Sequence, residues 1–341
     1  MHNNNPLKVA VLGVGSMGRN HARVYNDMER THLVAVADND MQIASDVAAD
    51  YGASAYTSYQ DLLASESPDA VSIAVPTALH EQVALDALEA GCHVLIEKPI
   101  ASTMEAGRRI IERARTLGRK LMIGHIVRFN PAIQELKRRL ADHELGNIFQ
   151  ITCRRVGPFP PRIRDVGVVV DLASHDLDLM RYLTGMDPIR VYAEIEQQIH
   201  TEHEDLLLGL LRFPAGLSAS LEINWLTPVK VREVLVLGER GMFRVDDLTQ
   251  DIYFYENASA SGDIWSALRT LKGVSEGTMT RYPLQRYEPL RAELQAFVDS
   301  IIADEPAPVS GDEGLAALRL ALAMVKSGQT HQVVEVADVA A

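Results

Sequence analysis

Short apolar stretches alternate with amphipathic stretches of helical length over the first 124 residues of the chain. Apolar runs of this length predict buried parallel strands, and the segments between them are long enough for helices. The predicted strands are 7–12, 32–37, 70–75, 93–96 and 120–123, and the predicted helices are 16–28, 41–50, 61–65, 79–90 and 102–117. Repeated strand–helix units predict an α/β fold with a doubly wound parallel sheet that binds ligands beyond the carboxyl ends of its strands. The residues that lie just past such ends are Gly13, Asp38, Thr77, Lys98 and His125.

Two of these helices carry boundary signals of their own. Gly91 follows helix 79–90, and glycine readily adopts the left-handed conformation that ends many helices. Ser102 precedes Glu105 by three residues, which is the spacing of a capping box. We therefore expect Ser102 to cap helix 102–117.

The pattern changes beyond residue 124. Long runs of alternating apolar and polar residues predict antiparallel strands that are buried on one face. The strands predicted here are 148–155, 190–199, 205–213, 216–225, 231–237, 241–246 and 251–255, the later ones forming a meander; 257–282 is a predicted loop, and the predicted helices are 131–140, about 171–183, 289–303 and 311–326. We expect a nucleotide-binding domain over 1–124 and an α+β domain with a large open, mostly antiparallel sheet over 125–341. Helices on one face leave the other face uncovered, which predicts a homodimer or homotetramer through that face.

Composition narrows the class of protein. The chain has 341 residues, a formal net charge of −13 and 47% hydrophobic residues. An acidic chain of this kind is not expected to bind nucleic acid, which normally requires a basic patch. Its two cysteines, Cys92 and Cys153, form no C-x-x-C or Cys/His cluster, so neither a disulfide framework nor a metal site is expected. Without a signal region or a long apolar stretch, we expect a cytoplasmic protein with no membrane partner.

A glycine-rich turn between the first strand and the first helix predicts dinucleotide binding. Residues 13–18 read G-V-G-S-M-G. Gly13 permits the tight turn, Gly15 lets the backbone approach a pyrophosphate, and Gly18 allows close packing of helix and strand. The helix N-terminus at Ser16 and Met17 offers N–H donors to the phosphates. Asp38 ends the second strand where a carboxylate can meet ribose hydroxyls, and it would repel a 2′-phosphate, which favours NAD over NADP.

Three residues form a candidate catalytic set. Lys98 follows a strand and precedes Pro99, which disfavours a helix there and directs the ammonium group towards the cofactor. Asp171 and His175 are four residues apart, so they share one face of a helix. The carboxylate can orient the imidazole, which can accept an alcohol proton near neutral pH while a nicotinamide accepts the hydride. Each residue also has an ordinary interpretation: a helix cap, a surface histidine and a solvated lysine.

A loop rich in arginine and proline precedes these residues at 154–165. It contains Arg154, Arg155, Arg162 and Arg164. Arginine forks suit phosphate recognition, so the loop predicts a clamp for a phosphorylated or nucleotide-linked substrate. The alternative is a solvated loop that pairs with nearby acidic residues.

Five features, in this order, resemble the Gfo/Idh/MocA oxidoreductase family: GVGSMGRNHARVY at 13–25, the acid at Asp38, VPTALH at 75–80, EKP at 97–99 and DLASHDLDLMRYL at 171–183. The resemblance covers nearly the whole chain and implies an N-terminal Rossmann domain, a C-terminal domain with a large open sheet, and an active site containing Lys98, Asp171 and His175. The residues implied to bind or border NAD are Gly13, Gly15, Ser16, Met17, Gly18, Asp38, Pro76, Thr77, His80, Glu97 and Lys98. Many members have a glycine-rich run before D-x-x-x-H, where this chain has VGVVV at 166–170.

A narrower resemblance concerns substrate. GHIVRFNP at 124–131, RVGPFPPRIRDVGVVVDLASHD at 155–176 and NWLTPVKVRE at 224–233 are similar to members that act as UDP-N-acetylglucosamine 3-dehydrogenases. This implies NAD-dependent oxidation of a UDP-sugar C3 hydroxyl. The alternatives are a dehydrogenase of a free sugar or inositol, and a non-catalytic NAD-binding regulator. The candidate substrate residues are His125, Arg128, Asn130, Arg155, Arg162, Arg164, Asp171 and His175.

Overall fold

The computed structural model describes residues 5–159, 166–199, 202–258 and 276–339, which form two compact units. Within these ranges, the first unit takes in the chain up to Phe129 together with Glu288–Leu320. The second unit takes in Asn130–Tyr287 and Ala321–Val339. Residues 288–320, which the sequence pattern groups with the second domain, thus belong to the first unit. No helix in the described ranges is long and apolar enough to span a bilayer.

The first unit is built on a six-stranded parallel sheet with the strand order β3-β2-β1-β4-β5-β6. Its strands are β1 Leu7–Leu12, β2 Thr31–Ala37, β3 Ser54–Tyr56, β4 Ala70–Ile73, β5 His93–Glu97 and β6 Leu121–Gly124. Residues 9–12 of β1 are at most 1% exposed, because a central parallel strand is covered on both faces. β3 was not predicted, since three residues are too few to show a period.

Nine helices are described in the two units. They are α1 Ser16–Asn26, α2 Met41–Tyr51, α3 Tyr59–Glu66, α4 His80–Glu89, α5 Met104–Thr116, α6 Pro131–Ala141, α7 Ser174–Thr184, α8 Pro289–Ile302 and α9 Gly311–Thr330. Gly91 has φ +89°, the left-handed conformation predicted after α4. The prediction of Ser102 as the α5 cap is wrong by one residue. Thr103 has the extended backbone of a cap, and its hydroxyl accepts a hydrogen bond from the Ala106 amide at 3.2 Å.

The second unit contains a nine-stranded sheet with the order β14-β13-β12-β11-β7-β10-β9-β8-β15. Its strands are β7 Ile148–Pro158, β8 Arg190–Glu196, β9 Leu206–Arg212, β10 Ser218–Asn224, β11 Leu226–Gly238, β12 Gly241–Asp246, β13 Asp251–Asn257, β14 Glu276–Tyr282 and β15 Val334–Glu335. The predicted mostly antiparallel sheet is confirmed. It is not a simple meander, because β7 lies between β10 and β11 and runs parallel to β10. β14 occupies part of the predicted loop 257–282 and pairs with β13.

The two faces of this sheet differ in burial. Ile151, Cys153 and Arg155 alternate along β7 and are at most 6% exposed, so this face is covered. Leu208 and Leu210 on β9 point to the opposite face and are 51% and 59% exposed. One face of the sheet therefore belongs to the core of the unit, and the other presents leucines to solvent.

Candidate active site

The glycine turn after β1 has the geometry that a dinucleotide requires. Gly13 has φ +86°, and a Cβ atom there would lie 2.7 Å from the Ala74 carbonyl oxygen. A Cβ atom on Gly18 would lie 1.8 Å from the Gly13 carbonyl oxygen, whereas nothing lies within 4 Å of a Cβ built on Gly15. Gly13 and Gly18 are thus required for packing, and Gly15 leaves the backbone open to a ligand. The first turn of α1, with Ser16 and Met17, follows directly.

Asp38 is held against this turn. Its Oδ2 atom accepts a hydrogen bond from the Val14 amide at 3.0 Å, and its Oδ1 atom accepts one from the Asp40 amide at 3.1 Å. The carboxylate is half-buried at the end of β2. These contacts fix a carboxylate beside the glycine turn, where it suits ribose hydroxyls and disfavours a 2′-phosphate. The described residues fit NAD.

His80 supports the turn that follows β4. Pro76 and Thr77 begin a short 3₁₀ turn there, and the His80 ring is 1% exposed beneath it. The ring nitrogens lie 2.8 Å from the Pro99 carbonyl oxygen and 3.0 Å from that of Val75. Burial lowers the pKa of His80. The imidazole therefore links the turn that carries Pro76 and Thr77 to the turn that carries Lys98. Because the ring is buried, it supports these two turns from below.

Glu97, next to Lys98 at the end of β5, has a buried partner. The His21 side chain is fully buried, and its Nε2 atom lies 2.9 Å from Glu97 Oε1. Burial alone would raise the pKa of Glu97, but the His21 hydrogen bond and the Lys98 charge outweigh it and lower that pKa. Lys98 is itself half-buried. The pair thus fixes the backbone from which Lys98 projects.

A second carboxyl group adjoins this pair. Glu293 on α8 is 0% exposed, and neither of its carboxyl oxygens has a hydrogen-bond partner among the described residues. Burial, together with the nearby negative charge of Glu97, raises the pKa of Glu293 well above its usual value. Glu293 therefore holds a proton where Glu97 is ionised.

Three candidate substrate residues between β6 and α6 are buried. His125 is 2% exposed, and Arg128 is 5% exposed and paired with Glu313. Asn130 is 2% exposed; it caps α6 through the Ala132 amide, and its Nδ2 atom donates to the Asp247 carbonyl oxygen at 2.9 Å. Arg128 and Asn130 therefore make internal contacts within their own units.

Asp171 lies in the turn that precedes α7 and His175 lies in the first turn of α7, and both are half-buried. The predicted single helix is instead a π-helical turn, Val169–Ala173, followed by α7. The Ser174 amide donates to the Val169 carbonyl oxygen, five residues earlier, which defines the wider turn. Such turns re-aim side chains and occur often at functional sites.

Asp176 anchors this segment to the sheet. Its Oδ2 atom accepts from Arg155 Nε at 2.6 Å and its Oδ1 atom accepts from Arg155 Nη2 at 3.0 Å. Both side chains are buried, with exposures of 7% and 2%. Asp247 Oδ2 lies 3.7 Å from Arg155 Nη1. Arg155, predicted as part of a substrate clamp, therefore has its charge balanced inside the unit; Arg162 and Arg164 lie outside the described residues.

Sequence reasoning missed several residues of this arrangement. Asp176 directly follows His175, and His21 stands three positions after Gly18, so adjacency to a motif was the available signal for both. Glu293 and Asp247 carried no such signal, because long-range packing alone brings them to their partners.

This glycine turn, its carboxylate and the D-x-x-x-H helix define an oxidoreductase with a nucleotide-binding domain. The NAD-binding Rossmann-fold model of the Gfo/Idh/MocA oxidoreductase family matches residues 7–125, and the C-terminal domain model of that family matches 133–244. The chain belongs to the Gfo/Idh/MocA oxidoreductase family, and its cofactor is NAD.

Curated relatives in this family act on different polyols. The UDP-N-acetylglucosamine 3-dehydrogenase of Acidithiobacillus ferrooxidans is 32% identical over 93% of this chain and 95% of its own length. The D-glucoside 3-dehydrogenase of Escherichia coli is 31% identical over 67% of this chain and 73% of its own. An inositol 2-dehydrogenase of Corynebacterium glutamicum is 29% identical over 64% of this chain and 67% of its own. This chain is thus similar to dehydrogenases that act on alcohol groups.

Solved structures share the fold. The structure of the UDP-N-acetylglucosamine 3-dehydrogenase from Acidithiobacillus ferrooxidans matches with a TM-score of 0.84 at 30% identity, covering 95% of this chain and 98% of that one. An oxidoreductase from Agrobacterium radiobacter, solved with NAD+, L-tartaric acid and magnesium, matches with a TM-score of 0.83 over 98% of this chain and 100% of that one. Its identity of 18% supports likeness of fold alone.

Proposed function

We propose that this protein oxidises the C3 hydroxyl of UDP-N-acetylglucosamine to the 3-keto sugar with NAD, in cytoplasmic nucleotide-sugar metabolism. The observation that carries the proposal is the Asp171–His175 pair, retained on an anchored helix in a chain 32% identical to a UDP-N-acetylglucosamine 3-dehydrogenase over 93% of its length. The members of the proposed catalytic set are Lys98, Asp171 and His175.

His175 is assigned the proton-accepting role. Neutral imidazole takes the hydroxyl proton at neutral pH, and Asp171, one turn earlier, orients the ring and stabilises its protonated form. Lys98 donates to the same oxygen as negative charge develops there. NAD, held by the glycine turn, the α1 N-terminus and Asp38, supplies the hydride acceptor for this chemistry. The residues assigned to the cofactor are Gly13, Gly15, Ser16, Met17, Gly18, Asp38, Pro76, Thr77 and Lys98, with His80 and Glu97 supporting them.

The anchoring of the α7 segment supports this assignment. Arg155 holds Asp176 through two hydrogen bonds, which restrains the backbone next to His175. A base held in one orientation loses less entropy on reaching the transition state. A non-catalytic regulator would have no need for an oriented imidazole.

The test is turnover by the purified protein with NAD, followed as NADH formation. UDP-N-acetylglucosamine should be oxidised, and free N-acetylglucosamine, a glucoside and myo-inositol should not. His175→Ala should lower kcat by about 10²- to 10⁴-fold, the usual contribution of a general base. His331→Ala is the matched control, because that ring is exposed and its partner among the described residues is Glu194.

Two results would replace the proposal. Oxidation of inositol or the glucoside in preference to the UDP-sugar would favour the alternative that relatives at 29–31% identity suggest. Unchanged turnover in His175→Ala would remove the proton-accepting role of His175. NAD binding without turnover of any substrate would favour a non-catalytic NAD-binding regulator.

We also propose that the protein is a homodimer or homotetramer, joined through the open face of the nine-stranded sheet. Four apolar side chains on that face are each at least 37% exposed in the described chain: Leu208, Leu210, Leu237 and Met279. The registers of β9, β11 and β14 place them there. Exposed apolar side chains on one face of a sheet favour self-association. Light scattering at micromolar concentration should give a multiple of 37.6 kDa, and a monomeric mass would contradict the assembly.

A further inference from the structure

Arg232 on β11 lies directly opposite Arg155 in the sheet. The antiparallel register pairs these two residues, so their side chains point to the same face. Val234 and Val236, which share that face with Arg232, are 2% and 0% exposed. The Arg232 side chain therefore lies on the covered side of the sheet, the side from which Arg155 reaches Asp176 on α7.

The two guanidinium groups differ in how their charge is balanced. Arg155 forms a bidentate pair with Asp176. Arg232 donates from Nη1 to the carbonyl oxygens of Val156 at 2.7 Å and Val231 at 2.8 Å. Among the described residues it has no carboxylate within 4.0 Å, and Nε and Nη2 make no hydrogen bond. Arg232 is thus oriented by neutral acceptors, and its charge is not neutralised by a direct partner.

The surroundings of Arg232 favour an additional anion. Burial, together with the positive charge of Arg155, lowers its pKa to about 10, against smaller opposing effects of Asp176, Asp247 and Asp171. A partly desolvated guanidinium beside a second guanidinium is costly unless an anion approaches it. The influence of Asp171 places this cation near the candidate catalytic segment.

We infer that Arg232 binds the phosphate-bearing part of the substrate. This rests on the proposed function, because a UDP-sugar carries its diphosphate on C1, only two ring carbons from the C3 hydroxyl. An arginine fork suits two phosphate oxygens, and the Nη1 bonds to Val156 and Val231 leave the other nitrogens for that contact. Arg232 therefore takes the phosphate-binding role that the sequence pattern assigned to Arg155.

The test measures binding of UDP and of inorganic pyrophosphate to the NAD-loaded protein by calorimetry, alongside steady-state kinetics. Arg232→Gln should weaken UDP binding by about 10- to 100-fold, the value of hydrogen bonds to a charged group. It should raise KM for the UDP-sugar far more than it lowers kcat. Arg232→Lys keeps the charge but lacks the fork of the guanidinium group. Its UDP affinity and KM should lie between those of wild type and those of Arg232→Gln. Arg138→Gln, on the exposed surface of α6, is the control.

The competing role is structural, since Arg232 bonds two carbonyls near the register shift between Leu226 and Val231. Wild-type affinity for UDP in Arg232→Gln would overturn the inference, as would a loss of NAD binding and UDP binding in equal measure. If Arg232→Gln fails to fold, Arg232→Lys decides, and unchanged UDP affinity and KM there would overturn the inference.

The two proposals fail in different ways. Oxidation of the UDP-sugar that is insensitive to Arg232 would leave the proposed function and remove this inference. If pyrophosphate or UDP binding depends on Arg232 but UDP-N-acetylglucosamine is not oxidised, the inference about Arg232 stands and the proposed function is removed. A wild-type protein that binds neither probe would also remove the inference.

Discussion

Each unit contains a buried cluster of charged groups next to a candidate catalytic residue. In the first unit, the Glu97 cluster (His21, Glu97 and Glu293) adjoins Lys98. In the second unit, the Asp176 cluster (Arg155, Asp176 and Asp247) adjoins His175. In both, a carboxylate one residue away from the candidate is fixed by a buried basic side chain. The two units thus use the same means to orient a side chain.

The clusters differ in how their acids are satisfied. Asp176 accepts two hydrogen bonds from Arg155, whereas Glu97 has one ring nitrogen of His21 at 2.9 Å. The second acid of each cluster shows the same contrast. Asp247 is bonded by Asn130, and Glu293 has no partner for either oxygen among the described residues.

This contrast separates a cluster whose acids are paired with basic or amide side chains from a cluster that holds a proton. Burial raises the pKa of Asp247, and Arg155 opposes that rise. For Glu293, burial and the Glu97 charge act in the same direction and raise the pKa. The Asp176 cluster should therefore contribute mainly rigidity, and the Glu97 cluster should make stability depend on pH.

The largest expected effect follows from breaking the Asp176 cluster. Asp176→Asn removes the charge that balances Arg155 in a site where both side chains are at most 7% exposed. Leaving one member of a buried pair uncompensated costs about 3–5 kcal/mol. Urea unfolding of wild type and variant measures this loss. Arg138→Gln, which breaks exposed pairs on α6, should cost less than about 1 kcal/mol. Equal losses in both variants would refute the anchoring role of Asp176.

A smaller effect is expected in the Glu97 cluster. Glu97→Gln removes one charged hydrogen bond, worth about 1.5–3 kcal/mol, and it also removes the negative charge that opposes ionisation of Glu293. The pKa of Glu97 is lowered on folding, so its contribution is present above the unfolded value and lost as pH falls through the folded value. The difference in unfolding free energy between wild type and variant should thus be larger at pH 7 than at pH 4.

The control for this change is Glu89→Gln, because Glu89 pairs with Arg113 on the exposed surface of the same unit. It should alter the free energy of unfolding little at any pH. A Glu97→Gln effect as large as that of Asp176→Asn would remove the contrast between the clusters.

Local patterns were sufficient to predict five of the six strands of the first sheet and the residues of its glycine turn. Strand 7–12 and the turn at 13–18 follow from short-range rules, since each glycine is required by atoms that the turn itself brings close. The positions of Lys98, Asp171 and His175 in the chain came from motifs in the same way. The insertion of β7 between β10 and β11 could not be predicted in this way. Pairing between strands that are far apart in the chain leaves no signal in the hydrophobic pattern of either strand.

The charged partners were harder to predict for the same reason. Arg155 stands in a proline- and arginine-rich segment that reads locally as a phosphate clamp, yet its partner Asp176 is supplied by α7. Arg232 reads locally as one polar position in a strand, and only its pairing with Arg155 shows an uncompensated cation. Charge balance is a property of three-dimensional neighbours, so the local sequence does not show which arginine has its charge balanced.

The smallest change tests the proton held by Glu293. Its folded pKa lies above the unfolded value, so the native state binds the extra proton and the free energy of unfolding falls as pH rises through that window. Glu293→Gln mimics the protonated form and lacks this dependence. The variant should match wild type near pH 4.5 and become more stable than wild type as pH rises towards 8, because only wild type must keep or lose this proton. Denaturant titrations across this range measure it. A difference that stays constant with pH would mean that Glu293 is not protonated in the native state, and the Glu97 cluster would then resemble the Asp176 cluster.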